Sequence, residues 1–236
     1  MTRVALVTGA SRGLGATLAR LLARRGFTLV LGARGRDDLE RIASELARQV
    51  VVEARQGDIA EPSTRRALIE AARPLGGLDL LINNASELGG IAPLADVDEE
   101  QIEHVFRVNV VAPLALTRDA LPLLASRHGL VVNISSDAAL AAYPGWGVYG
   151  ASKAALDLIS RTLAGEPTTR EVGVIAVDPG DMRTRMHQEA FPGEDISDRP
   201  LPEVTLPFWE WLLEQSPLAV TGQRFSAQKH LVGAAR

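Results

Sequence analysis

Short runs of consecutive apolar residues alternate along the chain with longer stretches in which apolar positions recur every three or four residues. The runs at 4–8, 28–33, 50–54, 78–82, 130–135, 172–177 and 219–225 predict seven strands. Between the first two, Leu14, Leu18, Leu21 and Leu22 stand at helical spacing and stop at Gly26. Leu39, Ile42 and Leu46 mark one face of a helix over 37–49, and Pro62 opens another over 63–73. Further helices are predicted over 99–110, 113–127, 149–163 and 203–214. Strands that are apolar throughout are buried on both faces, and helices between them supply crossovers. The pattern therefore predicts an α/β fold: a doubly wound parallel sheet of about seven strands with helices on both faces. No repeat or linker divides the chain, so residues 1–236 read as one domain. A proline- and glycine-rich stretch around 185–205 reads as a lid over its site.

Composition narrows the class. Apolar residues are 46% and charged residues 23%, the balance of a folded chain rather than a disordered one. The absence of cysteine excludes disulfides, thiolate nucleophiles and zinc–thiolate or iron–sulfur sites. A net charge of −4 argues against nucleic acid or a membrane surface as a partner. No basic segment followed by a long apolar core opens the chain, and the longest charge-free stretch, 138–152, is broken by Pro144 and three glycines. The expectation is a cytoplasmic protein with no membrane segment. The four histidines show no metal-ligand spacing, so no catalytic metal is expected.

Thr8-Gly9-Ala10-Ser11-Arg12-Gly13-Leu14-Gly15 joins the first strand to the first helix. Glycines 9, 13 and 15 permit a sharp turn and a close approach of backbone to a diphosphate, with the helix N-terminus aimed at it. The spacing differs from the commonest dinucleotide fingerprint, but its place between strand and helix is that of a nucleotide turn in a Rossmann-type fold. The second strand ends at Ala33-Arg34, where selection of NAD would call for an acidic residue. Arg34, with Arg12 in reach from the turn, suits a 2′-phosphate, so NADP(H) is favoured over NAD(H). Arginine is also this chain's usual basic residue, since only Lys153 and Lys229 are lysine.

Tyr149 and Lys153 stand four apart at the start of a predicted helix and share one face. An ammonium beside a phenol favours phenolate, which would make Tyr149 a usable acid/base near neutral pH. Gly150 and Ala151 would keep that surface low enough for a flat cofactor. The chain has two tyrosines and two lysines, so this pairing is not a product of abundance. The fifth strand ends at Ser135-Ser136, at the sheet edge where ligands of such folds bind.

Taken with Asn83-Asn84-Ala85, Asn109 and Asp178-Pro179-Gly180, these motifs resemble the short-chain dehydrogenase/reductase superfamily over nearly the whole chain. The resemblance implies Tyr149 as the acid/base, Lys153 as the group lowering its pKa and bonding the nicotinamide ribose, and Ser136 as the hydroxyl that orients a carbonyl. Asn109 would hold a water in the proton relay, and Ser135 would face away. Cofactor contacts are implied at Gly9, Ser11, Arg12, Gly13, Leu14, Gly15, Arg34, Asp58, Ile59, Asn83, Ala85, Tyr149, Lys153, Pro179, Gly180, Met182 and Thr184. The same resemblance implies a homodimer or homotetramer. Ser86 departs from it, standing where glycine is usual after Asn-Asn-Ala, as does Ile175 where asparagine is frequent in strand six.

The segment 143–147 reads as a wall of the substrate pocket or as plain loop packing, and His187, Phe191, Trp209 and Trp211 as further pocket candidates or a core edge. The leading functional reading is an NADP(H)-dependent oxidoreductase acting on a carbonyl or secondary alcohol of a small molecule. Reduction of imine or pterin substrates, and a non-catalytic NADP-binding redox sensor or scaffold, are the alternatives.

Overall fold

In the computed structural model, residues 2–229 are described. Residue 1 and residues 230–236, the ends of the single-domain reading, lie outside them. Seven strands form one sheet: β1 (Val4–Thr8), β2 (Thr28–Ala33), β3 (Val52–Gln56), β4 (Leu80–Asn83), β5 (Leu130–Ile134), β6 (Gly173–Asp178) and β7 (Arg224–Ser226). Their order is β3-β2-β1-β4-β5-β6-β7, and every neighbouring pair is parallel. The chain winds outward from β1 to β3, then returns to β4 on the other side of β1. That reversal opens a crevice beyond the carboxyl ends of β1 and β4.

The helices cover both faces, as apolar strands require. On one face, α1 (Gly13–Arg24), α2 (Arg36–Leu46) and α8 (Leu206–Leu212) pack Leu18, Leu21, Ile42, Phe208 and Trp209 against the sheet. On the other, α3 (Pro62–Ala72) and α5 (Ala112–Ala125) supply Leu68, Leu116, Ala120 and Leu124. The remaining helices are α4 (Glu99–Phe106), α6 (Gly147–Gly165), α7 (Arg185–Ala190) and α9 (Pro217–Val220).

Two elements differ from expectation for local reasons. The helices expected on either side of Pro113 form one run, because the chain widens into a π-helical turn over Arg107–Val111 instead of breaking. Pro113 has no N–H to donate, and the wider turn absorbs that loss. This run, Glu99–Ala125, is long and apolar enough by length and composition to cross a bilayer. Its buried Leu116, Ala120 and Leu124 pack on the sheet, which accounts for the apolar character. The expected last strand over 219–225 is instead the short helix α9, with Pro217 in its first turn, then a left-handed Gly222 and a three-residue β7.

Candidate active site

The turn after β1 is shaped by its glycines. Gly9 and Gly13 hold φ of +63° and +53°, a region that favours glycine. A Cβ on Gly15 would stand 2.2 Å from the carbonyl oxygen of Gly9, so this glycine lets the helix start close over the turn. The first turn of α1 has neither a side-chain cap nor an acidic residue. Its N–H groups and the positive end of the helix dipole face the crevice unopposed. Asn84 braces the turn from β4, donating through Nδ2 to the carbonyl oxygens of Thr8 (2.9 Å) and Gly9 (3.2 Å).

A cleft of about 1200 Å³ runs from this turn along the carboxyl ends of the strands. Gly9, Ser11, Arg12, Gly13, Leu14, Arg34, Asp58, Ile59, Ala85, Ser136, Tyr149, Lys153, Pro179, Gly180, Met182 and Thr184 line it. Three of the expected site residues do not. Gly15 acts behind the turn, through its packing on Gly9. Asn83 points into the fold, donating to Thr117 Oγ1 (3.1 Å) and Asn133 Oδ1 (2.8 Å), and Asn84 takes its place at the cleft. Asn109 is buried behind the wall with its amide filled. Its Nδ2 donates to Glu87 O (2.8 Å) and Ser152 Oγ (3.0 Å), and its Oδ1 accepts from Glu87 N–H (2.8 Å) and Ser86 Oγ (3.1 Å). That amide has no hydrogen left for a water.

At the end of the cleft beside β2, Arg34 is half exposed and paired with Glu87 at 3.2 Å. Asp58 accepts from the Ala60 N–H at 2.8 Å, the turn role open to it from sequence.

At the inner end, α6 presents Tyr149 and Lys153 on one face, both buried. A Cβ on Gly150 would stand 2.7 Å from the carbonyl oxygen of Ala138. Gly150 therefore brings α6 against the turn that carries Ser136, and does not serve to flatten a cofactor surface as the sequence suggested. Lys153 Nζ donates to Ile134 O at 2.8 Å and lies 5.6 Å from the centre of the Tyr149 ring. Burial lowers the Lys153 ammonium to about 8, against the pull of Asp157.

Burial also pushes the Tyr149 phenol up to about 12. The Ser136 and Ser86 hydroxyls work against this, while the Asp137 and Asp178 carboxylates add to it. The expectation that Lys153 makes this phenol acidic is thus reversed in this structure. The ammonium is engaged at Ile134, and desolvation of the phenol prevails. Ser136 Oγ donates to Asp137 Oδ1 (3.0 Å) and accepts from Ala138 N–H (3.2 Å). Ser135 is buried and its hydroxyl has no hydrogen-bond partner among the described residues.

The wall beyond Tyr149 is aromatic. Trp146 meets Tyr149 edge-on at 5.9 Å and Phe191 at 5.8 Å, and Phe191 lies 4.9 Å from His187. Tyr143 completes the mouth by donating to Asp137 Oδ2 at 2.7 Å. Residues 143–147 and the 185–205 stretch thus supply the cleft's outer walls, the latter through α7, Phe191 and Leu201. Trp209 and Trp211 stand on α8 and belong to the core instead, Trp211 meeting Phe225 of β7.

The sequence matches the short chain dehydrogenase family over residues 3–195. The chain belongs to that family. The oxidoreductase YciK of Escherichia coli K12 is 32% identical over 236 residues, covering 96% of this chain and 92% of that one. L-xylo-3-hexulose reductase of Hypocrea jecorina is 38% identical, over 80% of this chain and 70% of its own. A short chain dehydrogenase of Shigella flexneri, solved in complex with NADP, superposes with a TM-score of 0.87 at 32% identity, covering 96% of this chain and 97% of that one. The relatives named are oxidoreductases, and the seven-stranded parallel sheet is the fold of this family.

Sequence reasoning assigned no role to Asn84, which lines the cleft and braces its turn, or to Arg224 and Asp157, which hold the site from outside it. Arg224 and Asp157 carried no signal, since one is among many arginines and its partners lie far along the chain.

Proposed function

We propose that this short chain dehydrogenase is an NADP(H)-dependent oxidoreductase acting on the carbonyl or secondary alcohol of a small molecule. The observation that carries this reading is the meeting of a buried phenol, a buried ammonium and a serine hydroxyl at the inner end of a cleft that begins at a glycine turn. The residues present fit the cofactor. The uncapped first turn of α1 offers amides to a diphosphate, Arg12 and Arg34 face the region of a 2′-phosphate, and the buried Ser135 hydroxyl lacks a partner among the described residues. The NADP complex of the Shigella relative and the carbonyl substrate in the name of the hexulose reductase support the same assignment.

When bound, the nicotinamide supplies or accepts the hydride. The chain's own residues handle the proton. Tyr149 keeps its proton through the neutral range, so it is poised to donate to a carbonyl oxygen, the reducing direction. Ser136 hydrogen-bonds that oxygen and fixes the carbonyl against the phenol. Lys153 holds positive charge beside the ring as phenolate forms. Asn109 is a positioning residue, its filled amide joining the 86–87 segment to α6. The aromatic wall of Trp146, Phe191 and His187 shapes the substrate end. We infer self-association as well, since α4, the π-helical turn after it, α5 and α6 leave Ile102, Val111, Leu114 and Leu158 exposed. Light scattering on the purified chain distinguishes monomer from dimer or tetramer.

The test is the loss of NADPH absorbance with a panel of aldehydes, ketones and quinones. Turnover by the native chain, with a loss of about 10²–10⁴-fold in Tyr149→Phe, is expected. NADPH binding with no oxidation by any member would overturn catalysis in favour of a sensor.

A further inference from the structure

Glu87 lines the cleft on the segment after β4, and its carboxylate stands between two side chains that can carry positive charge. One oxygen, Oε2, lies 3.2 Å from Arg34 Nη2, just after β2, and 3.8 Å from His104 Nε2 on α4. The main chain beneath this carboxylate is fixed. The Glu87 N–H donates to Asn109 Oδ1, and the Glu87 carbonyl oxygen accepts from Asn109 Nδ2, both at 2.8 Å. Asn109 lies in the π-helical turn that continues α4, and Gln101 of α4 donates to Gly90 O at 3.3 Å. The backbone of Glu87 is thus held against the helical run that carries His104. Only the torsions of its side chain remain to favour one partner over the other.

The two partners differ in kind. An arginine is charged at every pH the fold meets, whereas a histidine gains its charge only as pH falls through the range of about 8 to 5. With His104 neutral, Arg34 is the one cation on the Glu87 carboxylate. An anion that takes Arg34 then meets that carboxylate with no positive charge opposite it, and like charges at short range repel. With His104 protonated, the carboxylate keeps a cation on its far side after Arg34 has turned away. A phosphate monoester, with close to two negative charges, feels this difference strongly, and an uncharged ribose hydroxyl does not.

We propose that Glu87 and His104 are specificity-determining residues for the cofactor: the Glu87 carboxylate opposes a 2′-phosphate at Arg34, and protonated His104 withdraws that opposition. Preference for the phosphorylated nucleotide therefore widens as pH falls. The proposal rests on NADP(H) as the cofactor and on Arg34 as its phosphate ligand. The other charges on and around α4 are already engaged or common to every variant below. Glu103 pairs with Arg107 at 3.5 Å, and Glu100 stands one turn before His104. From α6, which packs on α4, Asp157 is held by Arg224, Lys153 by the Ile134 carbonyl oxygen, and Arg161 is exposed.

Binding of NADP⁺ and of NAD⁺ is read from tryptophan fluorescence at about pH 6 and about pH 8, at low ionic strength, where exposed charges are least screened. The native chain is compared with Glu87→Gln, His104→Gln and the double variant. Glu87→Gln is expected to tighten NADP⁺ binding about fivefold at the higher pH and less than about twofold at the lower. His104→Gln should change nothing at the higher pH and weaken NADP⁺ about threefold at the lower. NAD⁺ should respond to neither. The 2′-phosphate and Lys153 also titrate across this range, but alike in all four proteins, so the differences between variants isolate His104. A loss that His104→Gln still causes in the Glu87→Gln background would mean that the imidazolium attracts the phosphate directly, and that overturns the proposal. So does a clear NADP⁺ preference that no variant alters at either pH, which leaves the cofactor reading standing. A native chain that binds NADP⁺ no more tightly than NAD⁺ at both pH values sinks the cofactor reading and the proposal together.

Discussion

The guanidinium of Arg224 donates through Nη2 to the carbonyl oxygen of Ser136 at 2.7 Å and through Nε to Asp157 Oδ2 at 2.8 Å. One side chain of β7 thereby ties the backbone of Ser136 to the helix that carries Tyr149 and Lys153. Asp157 is buried and its other carboxylate oxygen has no hydrogen-bond partner among the described residues. Removing the guanidinium leaves that carboxylate without its hydrogen-bonded partner. Arg224→Met is therefore expected to destabilise the fold by about 3–5 kcal/mol in urea unfolding. Adding Asp157→Asn should return part of the loss, because the two changes share one interaction. Independent, additive losses would show that the pair is not a unit.

Gly15 offers a test of the turn without touching the proton-transfer groups. Its added Cβ would meet backbone at 2.2 Å, and backbone cannot swing aside as a side-chain end can. Gly15→Ala is expected to cost about 1–3 kcal/mol in stability and to weaken NADPH binding, read by nucleotide fluorescence titration, by about tenfold or more. Unchanged affinity would mean that the diphosphate is held elsewhere.

Arg34 bears on the choice of cofactor. It pairs with Glu87 at 3.2 Å, half exposed, so the pair contributes at most about 1 kcal/mol and is released at little cost. Arg34→Ala should lower NADPH affinity by about tenfold while leaving NADH binding nearly unchanged, because only the former carries the 2′-phosphate. Glu87→Gln should strengthen NADPH binding modestly, and most at low salt. Equal losses for both nucleotides in Arg34→Ala would show that the arginine shapes the fold rather than reading the phosphate.

Much of this architecture was legible in the sequence because each signal was local. The β1 and β2 boundaries match the apolar runs residue for residue, since a doubly buried strand ends where its apolar run ends. The glycine turn and the Tyr149–Lys153 pair were equally local, resting on positions one turn of chain apart. What escaped depends on packing between distant segments. Nothing near Arg224 announces Ser136 and Asp157, and nothing near Asn83 and Asn84 says which one faces the cleft. The charge state of Tyr149 escaped for the same reason. Helical spacing placed an ammonium on its face, but the burial that prevails is set by Trp146, Leu88 and Ala190 from other elements.

Tyr149 and Lys153 should leave a signature in pH dependence. Lys153 is held at about 8, below its ordinary 10.5, and Tyr149 at about 12, above its ordinary 10.0. In the free enzyme, kcat/KM for carbonyl reduction should fall as pH rises through about 8, because the ammonium that supports phenolate loses its proton while the phenol still holds its own. Stability should move the other way in that range. Between about 8 and 10.5 the unfolded chain binds the lysine proton and the folded chain does not, so unfolding free energy rises with pH there. Below about 8 both states are protonated and the burial penalty is present in full. Between about 10 and 12 the sign reverses through Tyr149, whose proton only the folded chain retains. Lys153→Met removes the first of these slopes and leaves the second, so thermal unfolding of both proteins at a series of pH values isolates it. A native curve that runs parallel to the Lys153→Met curve across the lower window would show that Lys153 keeps its ordinary pKa, and the alkaline loss of activity would then need another source.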